Sequence, residues 1–260
     1  MKIAITGKGG VGKTTLASLL SHIFAAEGKK VIAVDADPDA NLASALGISK
    51  DQAEKIIPIA DMAELIEERT GAKAGSMGSI FKLNPRVDDL PEGIGYRMNG
   101  INLLIMGKSK AAASGCYCPE NVLLRRLLRH LIVERGEVVI VDMEAGIEHL
   151  TRGTADSVDA FIVVVEPGQR SMQTAKTVRE MAEGLGVRNV YVVANKVRNV
   201  EDLNFIRDNI GDMELVGSMS FNDAIMAADI KGSSPYYYSP ESVSEVREIK
   251  KTLERLLRVL

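Results

Sequence analysis

The chain has 260 residues, enough for one large α/β domain or two small ones and for burial of most of its surface. Its 32 basic and 35 acidic side chains leave a formal charge of −3, which argues against a nucleic-acid footprint, and no stretch approaches the roughly 18 apolar residues of a membrane span. Two cysteines make no disulfide framework, and the N-terminus enters a strand without a signal-peptide pattern, so the expected compartment is the cytoplasm.

Lys2-Ile3-Ala4-Ile5-Thr6 is an apolar strand candidate, and Thr14 to Glu27 carries helical spacing through Leu16, Leu19, Leu20, Ile23 and Phe24. Between them runs Gly7-Lys8-Gly9-Gly10-Val11-Gly12-Lys13-Thr14-Thr15, which fits the phosphate-loop pattern G-x-x-x-x-G-K-[ST] and carries a second lysine, Lys8. Glycines let successive backbone N–H groups turn toward phosphate oxygens, and a helix N-terminus adds partial positive charge. Lys13 is expected on the terminal phosphates and the Thr14 hydroxyl on a Mg²⁺ ion.

The next apolar run, Val31–Val34, ends in Asp35-Ala36-Asp37-Pro38-Asp39. Asp37 is the candidate to position the attacking water, and Asp39 is expected to cap a helix over Ala40–Leu46. From 71 to 100 the chain is glycine-rich with few apolar runs and reads as a long, flexible surface excursion, mobile or ordered by a ligand or partner, or else a passive insertion. A third run, Ile101–Met106, leads to Gly115-Cys116-Tyr117-Cys118-Pro119-Glu120. Pro119 opens a helix to about Glu134 with Leu123, Leu124, Leu127, Leu128 and Leu131 on one face. A thiol at a helix N-terminus has a lowered pKa and binds metal more readily. Cys-x-Cys supplies two soft ligands where a tetrahedral site needs four, and a second copy of the chain related by a two-fold axis is the simplest completion. The other reading is two incidental thiols or a redox pair.

Val138–Val141 ends in Asp142-Met143-Glu144-Ala145-Gly146, and Asp142 after four aliphatics has the character of a Mg²⁺-associated carboxylate. Further runs are Phe161–Glu166, Val190–Asn195 and Leu215–Met219. After Asn195-Lys196-Val197 comes Arg198, where a guanine-reading loop would need a carboxylate; arginine has no acceptor, so ATP is favoured, with Asn195 on adenine. Residues 220–229 are expected over the base. The last segment, Glu241–Leu260, is amphipathic through Val246, Ile249, Leu253, Leu256 and Leu260; it reads as a helix closing the sheet, with a membrane-surface role as the alternative.

The seven runs are continuous, and the segments between them suit right-handed crossovers. The expected fold is therefore a single-domain, doubly wound, mostly parallel α/β sheet of about seven strands over 1–260.

With these residues in place, the chain resembles the deviant-Walker-A ATPases, the group of MinD, ParA and the nitrogenase iron protein. The carriers are Lys8-Gly9-Gly10-Val11-Gly12-Lys13-Thr14-Thr15, Asp35 to Asn41, and Val141-Asp142. Within that group, Cys116 to Asn121 and Asp142 to Leu150 resemble the CooC-type ATPases that deliver nickel to carbon monoxide dehydrogenase. The resemblance implies a homodimer that sandwiches two nucleotides, with Lys8 crossing to the partner's phosphates. Asp37 would belong to switch I, and Asp142 through Gly146, including Glu144, to switch II. Cys116 and Cys118 would share one Ni²⁺ or Zn²⁺ with the partner chain. It implies a carbon monoxide dehydrogenase-type client; the acidic balance of the chain and the nearly cancelled charges of its last helix argue against nucleic acid and membrane as partners. The alternatives are a spatial-organising ATPase like MinD or ParA and an electron-transfer ATPase with an interface iron–sulfur cluster.

Overall fold

The computed structural model describes residues 1–76, 81–107, 118–144, 152–155 and 157–257. The elements are β1 (Lys2–Thr6), α1 (Lys13–Ala26), β2 (Val31–Ala36), α2 (Leu42–Ala45), α3 (Lys50–Ala53), α4 (Ala63–Thr70), α5 (Leu90–Ile94), β3 (Tyr96–Met98), β4 (Ile101–Ile105), α6 (Pro119–Val133) and β5 (Val138–Met143). They continue with α7 (Arg152–Ala155), β6 (Ala160–Val165), α8 (Gln169–Gly184), β7 (Val190–Val197), α9 (Val200–Asn209), β8 (Glu214–Ser220), α10 (Asp223–Ile230), α11 (Pro235–Tyr238) and α12 (Pro240–Leu256).

The strands form one sheet in the order β3-β4-β2-β5-β1-β6-β7-β8. Every pairing is parallel except β3 with β4. All seven expected strands are present. The eighth, β3, is three residues long and carries no apolar run. It is made by a two-residue turn in which Asn99 (φ 43°) and Gly100 (φ 81°) are both left-handed, so that Met98 pairs with Ile101. Asn-Gly is the favoured sequence for such a hairpin, because both positions tolerate positive φ.

Alternation along the strands sorts residues to the two faces. Ile3, Ile5, Val31, Ala33, Ile140, Ile162 and Val193 pack with Leu16, Leu19 and Leu20 of α1 and with Val246, Ile249 and Leu253 of α12. Val34, Val139, Val141, Phe161 and Val163 pack with Leu123 and Leu127 of α6, Val178 of α8 and Ile206 of α9. Parity therefore puts Asp35, Asp142, Asn195 and Glu166, each near the carboxyl end of its strand, on the α1 side. Helix α12 spends its apolar face on this core: Val246, Ile249 and Leu253 are fully buried, which supports the closing-helix reading over a membrane-surface one. It lies so close to β8 that a Cβ on Gly217 would sit 2.5 Å from Cγ1 of Ile249.

Candidate functional site

The loop between β1 and α1 rises at the centre of the sheet. Gly7 has φ +146°, and a Cβ there would fall 2.4 Å from the Val164 carbonyl oxygen of β6, so only glycine fits. Gly12 begins α1 in the left-handed conformation (φ 96°), and no side chain caps the helix, leaving its first-turn N–H groups aimed into the mouth of the loop. Lys13 is buried, and its Nζ lies 3.9 Å from Oδ2 of Asp37. Lys8 is half-buried; its carbonyl accepts the Val11 N–H at 3.4 Å. Gly9 and Gly10 are exposed at the tip of the loop, and Thr14 and Thr15 are half-buried in the first turn of α1.

Two aspartates face α1 from neighbouring strands, Asp35 of β2 directly opposite Asp142 of β5, and both are fully buried. Asp35 is accounted for. Its Oδ2 accepts the Leu42 N–H at 2.9 Å and its Oδ1 the Asp37 N–H at 3.3 Å. The helix starts at Leu42 rather than Ala40, and its cap comes from Asp35 rather than Asp39, because the buried carboxylate reaches across the turn and the exposed Asp39 does not. The Asp39 N–H instead donates to Oδ1 of Asp37.

Neither buried oxygen of Asp142 completes a hydrogen bond among the described residues. Burial pushes its carboxyl up to about 7, and the adjacent Asp35 charge adds to this; the nearby Thr14 hydroxyl and Lys13 ammonium act in the opposite direction. Asp35 is raised to about 6, again mainly by burial, opposed by the N–H groups of Leu42 and Asp37. An orphaned buried carboxylate beside a threonine hydroxyl at the first turn of α1 is a hard-oxygen donor set that fits Mg²⁺. Glu144 is exposed, and its carbonyl accepts from the Thr6 hydroxyl at 2.6 Å, which ties the end of β5 to the end of β1. Gly146 lies outside the described residues.

A cavity of about 500 Å³ opens from the loop toward β7 and α10. Gly10, Gly12, Thr14 and Thr15 line one side; Asn195, Lys196, Phe221, Ile225, Met226 and Asp229 line the other. The segment 220–229, expected over the base, thus lines this cavity. Phe221 and Met226 are large apolar residues more than half exposed, the surface an aromatic base would cover. Asn195 does more than face the cavity. Its Nδ2 donates to the Val11 carbonyl at 2.7 Å and its Oδ1 accepts the Lys196 N–H at 2.8 Å. Asn222 caps α10 by accepting the Ala224 N–H at 2.8 Å and donates to Ser239 Oγ at 3.0 Å. Lys196, which lines the cavity, and Glu166, which pairs with it at 2.9 Å, were not singled out from the sequence.

Cys118 sits at the N-cap of α6, buried, with Pro119 in the first turn. Two residues on, Glu120 is also buried, and its Oε2 accepts the Gly75 N–H at 3.2 Å. This bond ties the start of the glycine-rich excursion to the cysteine-bearing helix end. Cys116 lies outside the described residues, as does His149. His22 stacks on Tyr236 with ring centroids 4.8 Å apart, and His130 pairs with Glu134 at 2.9 Å; neither is near Cys118 in sequence. Among the described residues no three His, Cys, Asp or Glu side chains converge as a metal-binding group, and no helix is long and apolar enough to cross a membrane.

An open parallel sheet with a glycine-lined, uncapped helix N-terminus at its centre and buried aspartates flanking it defines a P-loop ATPase. Residues 2–236 match the family model described as the CobQ/CobB/MinD/ParA nucleotide-binding domain, and the chain belongs to that family. It is 49% identical over 240 residues to the carbon monoxide dehydrogenase accessory protein CooC of Rhodospirillum rubrum, covering 92% of this chain and 91% of that one. It is 47% identical over 252 residues to an uncharacterized ATP-binding protein of Methanocaldococcus jannaschii, covering 96% of each. Among solved structures, the fold resembles the MinC:MinD cell division complex of Aquifex aeolicus (TM-score 0.68, 21% identity, covering 100% of this chain and 97% of that chain). It also resembles a ParA family ATPase from Chlorobium tepidum (TM-score 0.68, 16% identity, 97% of each chain). The protein is thus an ATP-binding, ATP-hydrolysing enzyme.

Proposed function

We propose that the protein is a dimeric Mg-ATP-hydrolysing metallochaperone. It carries Ni²⁺ or Zn²⁺ on a Cys-x-Cys site shared between two copies and assists nickel insertion into a carbon monoxide dehydrogenase. The observation that carries this reading is the near-full-length, 49% identical relative named as an accessory protein of that enzyme, taken with Cys116-Tyr117-Cys118 at the start of α6 in the same chain as the double-lysine loop.

The residues divide the work by position. The N–H groups at the start of α1 and the Lys13 ammonium bind the phosphates, and Asp37, already beside Lys13, orients the attacking water. Asn195 and residues 220–229 hold the adenine. Asp142 and the Thr14 hydroxyl would hold Mg²⁺, which when bound neutralises phosphate charge. Lys8 reaches the nucleotide of the second copy. Cys118 is buried in the single chain, at the N-cap of α6.

Titration of the full chain with Ni²⁺ or Zn²⁺, read by metal content and solution mass, tests the reading. One metal per dimer is expected. The Cys116→Ala/Cys118→Ala protein should lose it while retaining part of the ATPase activity. Retention of one metal per dimer by the double variant would overturn the assignment.

A further inference from the structure

Asn99 and Lys196 are the non-glycine residues with left-handed backbone among the described residues. Asn99 is in a hairpin turn. Lys196 (φ 57°) is in a strand, where the register of β7 on β8 shifts between Ala194 and Val197. That conformation is disfavoured for a residue with a side chain and persists where the surroundings hold it. Two contacts do so here. Lys196 Nζ donates to the Gly10 carbonyl at 2.6 Å and pairs with Oε2 of Glu166 at 2.9 Å. Glu166 is itself fixed at the end of β6, its N–H donating to Ser171 Oγ at 3.1 Å in the first turn of α8.

The residue before it, Asn195, holds the Val11 carbonyl. Two neighbouring side chains of β7 therefore grip two consecutive carbonyls of the phosphate loop. In a trans peptide the C=O and N–H point in opposite directions. Drawing the Gly10 carbonyl toward Lys196 turns the Val11 N–H back onto the Lys8 carbonyl at 3.4 Å, which closes the tip of the loop into a turn, and drawing the Val11 carbonyl toward Asn195 turns the Gly12 N–H away from that strand. Packing holds Val11, which is fully buried, but not Gly10 beside it, which is exposed and whose added Cβ would meet nothing within 4 Å. The shape that accepts phosphate is thus set by side chains from a strand two places away in the sheet.

We propose that Lys196 is a positioning residue for ATP hydrolysis, oriented by Glu166, that holds the tip of the phosphate loop in its anion-accepting form before nucleotide arrives. It rests on the ATPase activity alone and not on the cargo. A preformed loop contributes to nucleotide binding in ground and transition states alike, so its loss should fall on KM.

The test is steady-state Mg-ATP kinetics of the full chain with thermal melts alongside. Lys196→Met should raise KM by about tenfold with kcat changed much less. Lys196→Arg, whose guanidinium also donates to a carbonyl and a carboxylate, should restore most of the affinity. Glu166→Gln should raise KM by a smaller factor, and Lys196→Met/Glu166→Gln should be no worse than Lys196→Met alone, because Glu166 acts through Lys196. A KM within about twofold of the parent in Lys196→Met, or additive effects of the two substitutions, would overturn the proposal. Should Lys196→Met fail to fold, Glu166→Gln carries the test, and an unchanged KM there is equally fatal.

Discussion

Asp35 and Asp142 face each other across β2 and β5, and burial raises both carboxyls, to about 6 and about 7. In the unfolded chain the same groups titrate near about 4. Between those values the folded protein binds more protons than the unfolded chain, so the stability associated with this pair is complete below about pH 4 and lost as pH rises through about 6 and 7. The nucleotide-free protein should therefore melt at progressively lower temperature from about pH 5 to 8. Asp142→Asn keeps the shape and removes the charge. It should flatten most of that slope and raise the nucleotide-free Tm at pH 8 by roughly 5 °C, while abolishing ATP hydrolysis. Melts across the pH range, with an activity assay, decide this. A variant with the parent's pH slope would show that Asp142 does not carry the buried charge. The phosphate-loop residues, Asp37 and Asp142 were singled out in the sequence because each follows an apolar run, and the structure brings them to the same end of the sheet. Lys196 was not. A lysine just past a strand looks like any solvated charge, and its carbonyl partner lies 186 positions away in the chain.

The elements were legible where periodicity was long. The seven parallel strands and the helices α1, α6 and α12 emerge within a few residues of their expected bounds. Shorter features escaped. The strand β3 hides in a glycine-rich stretch whose signal was the Asn99-Gly100 pair, and α2 took its cap from Asp35 because a buried acceptor outranks an exposed one nearby in sequence. The packing of α12 on β8 was visible only as a stripe of apolar residues; the close approach at Gly217 was not. Gly217→Ala would drive a Cβ to 2.5 Å from Cγ1 of Ile249 and force the helix outward. Such overpacking costs about 1–3 kcal/mol, so the Tm should fall by several degrees in a thermal melt, and Ile249→Ala should cost less in the Gly217→Ala chain than in the parent. Full stability in the single variant would mean that α12 is free to shift.

At the scale of the whole molecule, the nucleotide site and the proposed cargo cysteine belong to different parts of one sheet. The phosphate loop and its aspartates face α1, whereas Cys118 heads α6, whose leucines pack on the opposite face. If two copies close over two nucleotides, ATP should convert monomer to dimer in solution mass measurements, and Lys8→Ala should leave ATP binding largely intact while blocking both dimerisation and hydrolysis. Dimerisation by the Lys8→Ala protein equal to that of the parent would remove Lys8 from the interface. The hairpin formed by β3 has a different bearing on assembly. Strand β4 alone would leave a five-residue row of backbone donors and acceptors at the rim of a parallel sheet, an invitation to any extended chain. The antiparallel β3 covers it with only three residues, with the exposed cation Arg97 in the middle, and shortens the open rim. The small hairpin is thus a border against fibrous, edge-to-edge association, and if two copies meet in each ATP cycle, as proposed, that border keeps their encounters from becoming strand exchange.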